Sequence, residues 1–145
     1  MYTLKNCDLE DINFTFLVKK LSTKNLIDEI WGWNEDFQIG YHNKNFSPQK
    51  TKIIYIENVK IGFIVIEKCQ DRALIENIML LPEYQNRGIG TKIILDLIEN
   101  TEAKVKHVEL QVLKKNVNAK RLYKKIGFVP YAETETHFKM KFDIN

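Results

Sequence analysis

Hydrophobic residues in this chain recur with two different spacings, and each spacing predicts a different element. Runs that alternate, or that are rich in β-branched residues, predict strands, whereas repeats at three and four residues predict helices. Three strand-like runs lie near the middle of the chain, at 51–57, 61–67 and 72–80. The first two flank Asn58-Val59-Lys60, a spacing typical of a hairpin. Four further strands are predicted at 2–5, 107–113, 128–135 and 136–142.

Helical spacing appears first near the N-terminus. Asp8, with Asp11 three residues later, can cap a first helix that continues to Lys20. A second helix is predicted from Thr23 to Trp31. Residues 32–50 are predicted to be loop, because they combine glycines, a proline and several asparagines.

Two more helices follow in the second half of the chain. An apolar face begins after Gly88 and repeats at Ile89, Ile93, Ile94, Leu97 and Ile98. Asn116 or Asn118 can cap the last helix, which runs through Ile126 and ends at Gly127. The predicted order is therefore strand, two helices, three strands, helix, strand, helix and two strands.

Composition narrows the class of protein. A chain of 145 residues with 44% hydrophobic and 28% charged residues fits one globular domain. A net charge of +3 is too small to predict a nucleic-acid partner. Cys7 and Cys69 form no CxxC pair, which favours a reduced, cytoplasmic setting. No signal peptide or apolar run of about 20 residues is found, so no membrane association is expected.

Charge is unevenly distributed along the chain. Residues 8–36 carry seven acids against three bases, and residues 104–125 carry eight bases against one acid. The first region could suit a cationic ligand and the second a polyanion. Two solvated helix faces of opposite sign explain the same pattern, and both interpretations stay open.

The densest chemical pattern is QNRGIG, residues 85–90, between a predicted strand and a predicted helix. Such a turn exposes backbone N–H groups at a helix N-terminus, where they suit a phosphate or pyrophosphate. Arg87 adds a donor that stays charged at neutral pH. The P-loop pattern is absent, and the Rossmann fingerprint needs a third glycine on a parallel unit.

QNRGIG and NVNAKRLYKKIGF, residues 116–128, together resemble the two coenzyme-A signatures of the GNAT superfamily of N-acetyltransferases. The first fits the family pattern Q/R-x-x-G-x-G/A, and the second fits N-x-x-A-x-x-L-Y-x-x-x-G-F. The matching positions are Gln85, Gly88, Gly90, Asn116, Ala119, Leu122, Tyr123, Gly127 and Phe128. The resemblance covers residues 75–128 directly. It implies one α/β (α+β) domain over residues 1–145, with a mixed, mostly antiparallel sheet of about seven strands and about four helices.

The resemblance also implies a set of residues for acetyl-CoA, the expected co-substrate. In the family, pantetheine pairs with the strand before the glycine turn, and the turn holds the pyrophosphate. Carried over, the strand contacts fall on Ile78, Met79 and Leu80, and the turn contacts on Gln85, Asn86, Arg87, Gly88, Ile89, Gly90 and Thr91. Asn116 is expected near the thiol end of the pantetheine arm. Simple core burial explains the side chains of Ile78 and Leu80 equally well.

Two residues are expected to move protons. Tyr123 matches the family tyrosine that faces the coenzyme sulfur, and its hydroxyl can assist the departing thiolate. Glu76 is the candidate base for the attacking amine, because some members carry their base near this strand position. Another family position for the base is occupied here by Gln111, which cannot accept a proton. Glu35 or solvent are the alternatives to Glu76.

The acceptor amine is expected near the segment WGWNEDFQ, residues 31–38. Trp33 and Glu35 are assigned to the acceptor pocket, since indole faces and carboxylates bind cations. Trp31 is assigned mainly to the core, and core burial is an alternative interpretation for Phe37. Alternation predicts that Glu133, Glu135 and His137 share one strand face, as a pocket rim, plain surface or, less plausibly, a metal site.

The resemblance therefore predicts direct transfer of the acetyl group of acetyl-CoA to a primary amine, with a small cationic molecule as the acceptor. A protein or peptide N-acetyltransferase and a non-catalytic acyl-CoA-binding module are the alternatives. GNAT chemistry requires no metal, so none is expected. Pairing of two copies through the C-terminal strands is common in the superfamily, and a homodimer stays open.

Overall fold

The computed structural model describes residues 1–144, which form seven strands and four α-helices. The strands are β1 Tyr2–Asn6, β2 Thr51–Ile56, β3 Val59–Cys69, β4 Arg72–Leu80, β5 His107–Leu113, β6 Val129–Glu133 and β7 His137–Asp143. The helices are α1 Ile12–Trp31, α2 Glu35–Asn45, α3 Ile89–Glu99 and α4 Val117–Ile126. Short 3₁₀ turns cover Leu9–Asp11 and Pro82–Tyr84. The predicted order of elements and the mixed α/β class are confirmed.

Hydrogen bonds link the strands in the order β1-β2-β3-β4-β5-β7-β6. The chain divides into two compact units, one made of residues 1–65 and 78–87, the other of residues 66–77 and 88 onward. The single-domain assignment of residues 1–145 stays a prediction.

In the first unit, antiparallel ladders join β1 to β2 and β2 to β3. The predicted hairpin is present, and its two-residue turn contains Glu57 in the left-handed region, with φ of 56°. Val18 from α1 packs with Ile53 and Phe63, and all three are buried. Partly buried hydrophobic residues, Met79 among them, surround this cluster. Burial of one α1 face therefore attaches the helix to the strands of this unit.

In the second unit, β4 and β5 run parallel and pair from Arg72–His107 to Ile75–Leu110. β4 continues for five residues beyond that last pair, to Leu80. β5 and β7 pair antiparallel along their whole length. The apolar face of α3 supplies Ile93 and Ile94 to the core, as its sequence predicts.

The structure corrects the predicted helix boundaries. α1 is one helix from residue 12 to residue 31, because no glycine or proline interrupts it and the Thr23 hydroxyl bonds within the helix to the Lys19 carbonyl. α2 occupies most of the segment predicted as loop. Asn34 begins it by accepting a hydrogen bond from the Phe37 N–H. A side-chain cap and tertiary packing thus outweigh the weak helix propensity of these residues.

The predicted burial of Trp31 is wrong, since it is 59% exposed. Phe37 is 64% exposed, which excludes the alternative that it packs in the core. Trp31 follows the buried Val18 by thirteen positions, which at 100° per residue places it about 220° away, on the opposite side of α1. The shared strand face of Glu133, Glu135 and His137 is also wrong. Glu133 ends β6, His137 begins β7, and the turn between them breaks the alternation.

Within residues 1–144, no group of three or more histidine, cysteine or acidic side chains is arranged to hold a metal ion. No helix in the same range combines the length and the apolar character needed to cross a membrane.

Candidate active site

The end of β4 and the residues after it form a closed turn. The Leu81 N–H donates to the Ile61 carbonyl at 2.8 Å, and the Tyr84 N–H donates to the Leu81 carbonyl at 2.9 Å. The Gln85 side chain reaches back and donates through Nε2 to the Leu80 carbonyl at 2.9 Å. These hydrogen bonds hold residues 80–85 in one conformation and so fix the backbone position from which residue 86 continues.

Two residues after this turn have left-handed backbone conformations. Asn86 has φ of 61° and Gly88 has φ of 81°. Asparagine and glycine are the residues that adopt this region most readily. A Cβ on Gly88 meets nothing within 4 Å, so conformation rather than crowding favours glycine there. The Arg87 guanidinium lies over the Tyr84 ring, 5.4 Å from its centroid.

α3 begins directly after Gly88. The first helical hydrogen bond runs from the Lys92 N–H to the Gly88 carbonyl, at 3.0 Å. The N–H groups of Ile89, Gly90 and Thr91 therefore have no acceptor within the helix. They lie at the positive end of the helix dipole. A Cβ on Gly90 meets nothing within 4 Å, so the backbone is open to a ligand there. The predicted glycine turn at a helix N-terminus is therefore present, and phosphate binding by these residues stays a prediction.

The three predicted pantetheine-binding residues lie at the end of β4. Met79 packs against the core cluster of the first unit, and Leu80 is buried. The Leu80 carbonyl accepts from Gln85 and also from the Ser22 hydroxyl of α1, at 2.8 Å. A ligand that bonded to this carbonyl would have to displace one of these donors. Ser22 had no signal in the sequence, because its partner is 58 residues away.

Asn116 directly precedes α4 and Tyr123 lies on it, both in the second unit. Asn116 caps the helix, accepting through Oδ1 from the Ala119 N–H at 3.2 Å. Its Nδ2 is the donor that remains for other partners. The Tyr123 ring meets the Phe128 ring edge-on, with 6.1 Å between centroids. Within residues 1–144 no protein group hydrogen-bonds to the Tyr123 hydroxyl.

Burial raises the pKa of Tyr123 above its usual value of 10.0. The phenol is therefore protonated at neutral pH, and its hydroxyl can donate. An acid that assists a leaving group must be protonated and able to donate to the substrate. The Tyr123 hydroxyl meets both conditions, because it has no hydrogen-bond partner among residues 1–144.

Glu76 lies on β4, at the point where the alternating burial of this strand stops. Ala73 and Ile75 are buried, whereas Glu76 and Asn77 are both exposed. Glu76 also takes part in an interaction within the chain. Its solvent access suits proton exchange with water.

The structure joins Trp33 and Glu35 to each other. The Trp33 indole N–H donates to Glu35 Oε1 at 2.8 Å, and Lys20 Nζ donates to Glu35 Oε2 at 2.8 Å. The hydrogen bonds from Lys20 and Trp33 hold the pKa of Glu35 below its usual value. The carboxylate is therefore ionised, but Lys20 already compensates its charge. The sequence analysis missed Lys20, which lies fifteen positions before Glu35.

Two further buried polar residues serve the fold. Glu109 accepts hydrogen bonds from Tyr131, His107 and Arg72. Burial opposes its ionisation, but these donors outweigh burial and lower the pKa of Glu109. His42 of α2 bonds to the Thr15 hydroxyl of α1 at 2.8 Å. Each group already has partners within the chain, so neither is assigned to the site.

Comparison with known proteins agrees with these features. The model of the acetyltransferase (GNAT) family matches residues 18–128. A 94-residue segment is 40% identical to the ribosomal protein bS18-alanine N-acetyltransferase of Haemophilus influenzae and covers 63% of this chain. That match spans 64% of the relative, slightly less than two thirds of its length.

Solved structures share the fold. The PaiA N-acetyltransferase from Thermoplasma acidophilum, in complex with coenzyme A, superposes with a TM-score of 0.81 at 19% identity over 99% of both chains. The spermidine N-acetyltransferase from Vibrio cholerae, in complex with CoA and spermine, gives 0.70 at 17% identity over 98% of this chain and 95% of its own. Since the family model spans more than half of its residues, the chain belongs to the GNAT family of acetyltransferases.

Proposed function

We propose that this protein transfers the acetyl group of acetyl-CoA directly to a primary amine. The observation that carries the proposal is the turn before α3. Asn86 and Gly88 have left-handed backbones there, and three N–H groups have no acceptor within the helix. The turn lies inside the segment that matches the GNAT family.

In this proposal, the backbone from Asn86 to Thr91 binds the pyrophosphate. The N–H groups and the helix dipole compensate its negative charge, and Arg87 adds a positive side chain nearby. Ile78, Met79 and Leu80 contact pantetheine through their backbone. Asn116 contacts the same arm near the thiol, through Nδ2.

Tyr123 assists the departure of the thiolate. When the amine attacks the thioester carbonyl, the C–S bond breaks and the sulfur leaves with the electron pair. The Tyr123 hydroxyl donates a hydrogen bond or its proton to this sulfur, which as a free thiol has a pKa near 8.5. Such general-acid help is typically worth about 10²- to 10⁴-fold in rate.

The acceptor must lose a proton, because an ammonium group has no lone pair for attack. We assign this step to Glu76, directly or through water. We also propose that a small cationic amine binds near Trp33 and Glu35. Each Glu35 oxygen accepts one hydrogen bond, from Trp33 or from Lys20, and keeps a lone pair for a further donor. The positive charge of Lys20 lowers the attraction of Glu35 for a second cation.

A peptide N-terminus is the second candidate acceptor. The compensated charge of Glu35 favours it, because an α-amino group, with a pKa of about 7.7–8.0, is less completely charged at neutral pH than an alkylamine with a pKa of about 10.4. Two of the similar proteins represent both classes of acceptor: the Haemophilus influenzae relative is a ribosomal protein alanine N-acetyltransferase, and the Vibrio cholerae structure is a spermidine N-acetyltransferase.

The test is release of free thiol from acetyl-CoA in the presence of spermidine, or of a peptide that begins with alanine. Amine-dependent release is expected, and the preferred amine distinguishes the two acceptor classes. Tyr123→Phe is expected to lower kcat at least 100-fold while changing the acetyl-CoA KM little. Calorimetric binding of acetyl-CoA without thiol release for any amine would point instead to a non-catalytic binding module.

A further inference from the structure

We infer that Ser22 and Gln85 form a positioning pair for acetyl-CoA binding, acting together through the Leu80 carbonyl. The inference rests on the proposed function, because it concerns the same phosphate-binding turn. It assigns a role to a residue of α1 outside both signature segments. It also gives the Gln85 side chain a protein partner rather than a phosphate.

The Leu80–Leu81 peptide group is held on both sides. Its carbonyl accepts from Ser22 Oγ at 2.8 Å and from Gln85 Nε2 at 2.9 Å. Its N–H, which belongs to Leu81, donates to the Ile61 carbonyl at 2.8 Å. A carbonyl oxygen has two lone pairs, so both are used. Rotation of this peptide plane would therefore break three hydrogen bonds.

The position of this peptide group gives the three bonds a function. It ends β4, whose last residues are assigned to pantetheine. The Gln85 bond closes the chain from Leu80 to residue 85 into a loop. Asn86 follows at once, with its left-handed backbone. Holding one carbonyl thus sets both the end of the strand and the starting point of the pyrophosphate-binding backbone.

Preorganisation of this kind acts on binding affinity. Neither side chain contacts reacting atoms in the proposed mechanism, so loss of either bond should weaken CoA binding and leave the chemical step intact. A net hydrogen-bond contribution of ordinary size corresponds to about 2- to 10-fold in Kd.

The variants that test the pair are Ser22→Ala and Gln85→Met, each measured for CoA affinity by calorimetry well below its Tm. Ser22→Ala removes one donor, and Gln85→Met replaces the other by an uncharged side chain of similar length that cannot donate. Each should weaken CoA binding about 2- to 10-fold, and Ser22→Ala should keep kcat at saturating acetyl-CoA within about twofold of wild type. Ser22→Thr and Gln85→Arg retain N–H or O–H donors and should recover part of the affinity.

Thr23→Ala is the matched control. Thr23 is the next residue of α1, and its hydroxyl donates at 2.7 Å to the Lys19 carbonyl of the same helix. The control therefore loses a hydroxyl from the same helix without touching Leu80. Its CoA affinity should equal that of wild type.

The double variant separates positioning from direct contact. Two donors that hold one carbonyl are coupled, so the loss of CoA affinity in Ser22→Ala/Gln85→Met should be smaller than the product of the losses in the two single variants. If the losses of CoA-binding free energy in the two single variants add exactly in the double variant, Ser22 and Gln85 do not act as a pair, and Gln85 contacts the ligand directly. Wild-type CoA affinity in a folded Ser22→Ala protein would overturn the inference while the proposed function stands. A wild-type protein that does not bind CoA would overturn both.

Discussion

A single methyl group at Gly62 should destabilise this protein, because β3 and the end of β4 approach too closely to admit it. A Cβ built on Gly62 lies 2.2 Å from the Met79 carbonyl oxygen and 2.9 Å from Leu80 Cδ2. The backbone of Gly62 is not in the left-handed region, so the penalty for Gly62→Ala arises from space and not from φ. The nearest obstacle is backbone, which cannot rotate away as a flexible side chain can.

The expected cost follows from this geometry. An ordinary carbon–oxygen contact is about 3.3 Å, so the two strands must separate by about 1 Å. Overpacking of a well-packed core typically costs about 1–3 kcal/mol, and a backbone obstacle places Gly62→Ala at the upper end. For a chain of this length, about 3 kcal/mol lowers Tm by about 10 °C. Because Met79 and Leu80 are the residues displaced, acetyl-CoA affinity should fall as well.

Thermal unfolding followed by circular dichroism measures the effect, and Gly40→Ala is the control. Gly40 lies inside α2, and its added Cβ meets nothing within 4 Å. Alanine is the better helix former, so this variant should be about 0.5–1 kcal/mol more stable than wild type. A Gly62→Ala protein whose Tm stays within about 2 °C of wild type would refute the close-approach argument.

Three further predictions concern the turn, a buried histidine and a buried carboxylate. Gly90→Ala should not lower the Tm, because open space surrounds the new methyl group and alanine favours the helix. It should weaken CoA binding measured by calorimetry, because the methyl group would lie beside a bound pyrophosphate. Burial, and then the nearby Lys19 charge, lower the pKa of His42 below its usual 6.5, so folding favours the neutral ring. The contribution of His42 to the free energy of unfolding is complete above pH 6.5 and is lost as the pH falls below that value. Urea unfolding should therefore give a lower free energy of unfolding at pH 5.5 than at pH 7.5. In His42→Gln the difference in this free energy between the two pH values should be smaller. Glu109→Gln should lower the free energy of unfolding by about 1–3 kcal/mol, because the amide oxygen cannot accept from Arg72, His107 and Tyr131 together. An unchanged urea midpoint would contradict a stabilising role of Glu109.

Local features of this protein could be predicted from the sequence because their causes lie within a few residues. The hairpin before Val59, the α4 cap at Asn116 and the end of α4 at Gly127 depend on turn and capping chemistry between near neighbours. The turn before α3 belongs to the same group, since Gly88 supplies a left-handed backbone where the helix begins.

Tertiary structure decided the features whose partners are distant in the chain. Trp31 is exposed because Val18 fixes which face of α1 is buried, a choice that local hydrophobicity does not reveal. The charge of Glu35, at the start of α2, is compensated by Lys20 of α1, which lies fifteen positions earlier in the sequence. Ser22 reaches Leu80 only because α1 packs beside the end of β4. Helix propensities and caps act over one or two turns of a helix. Burial, and hydrogen bonds between residues distant in the sequence, form only when the elements pack into the tertiary structure.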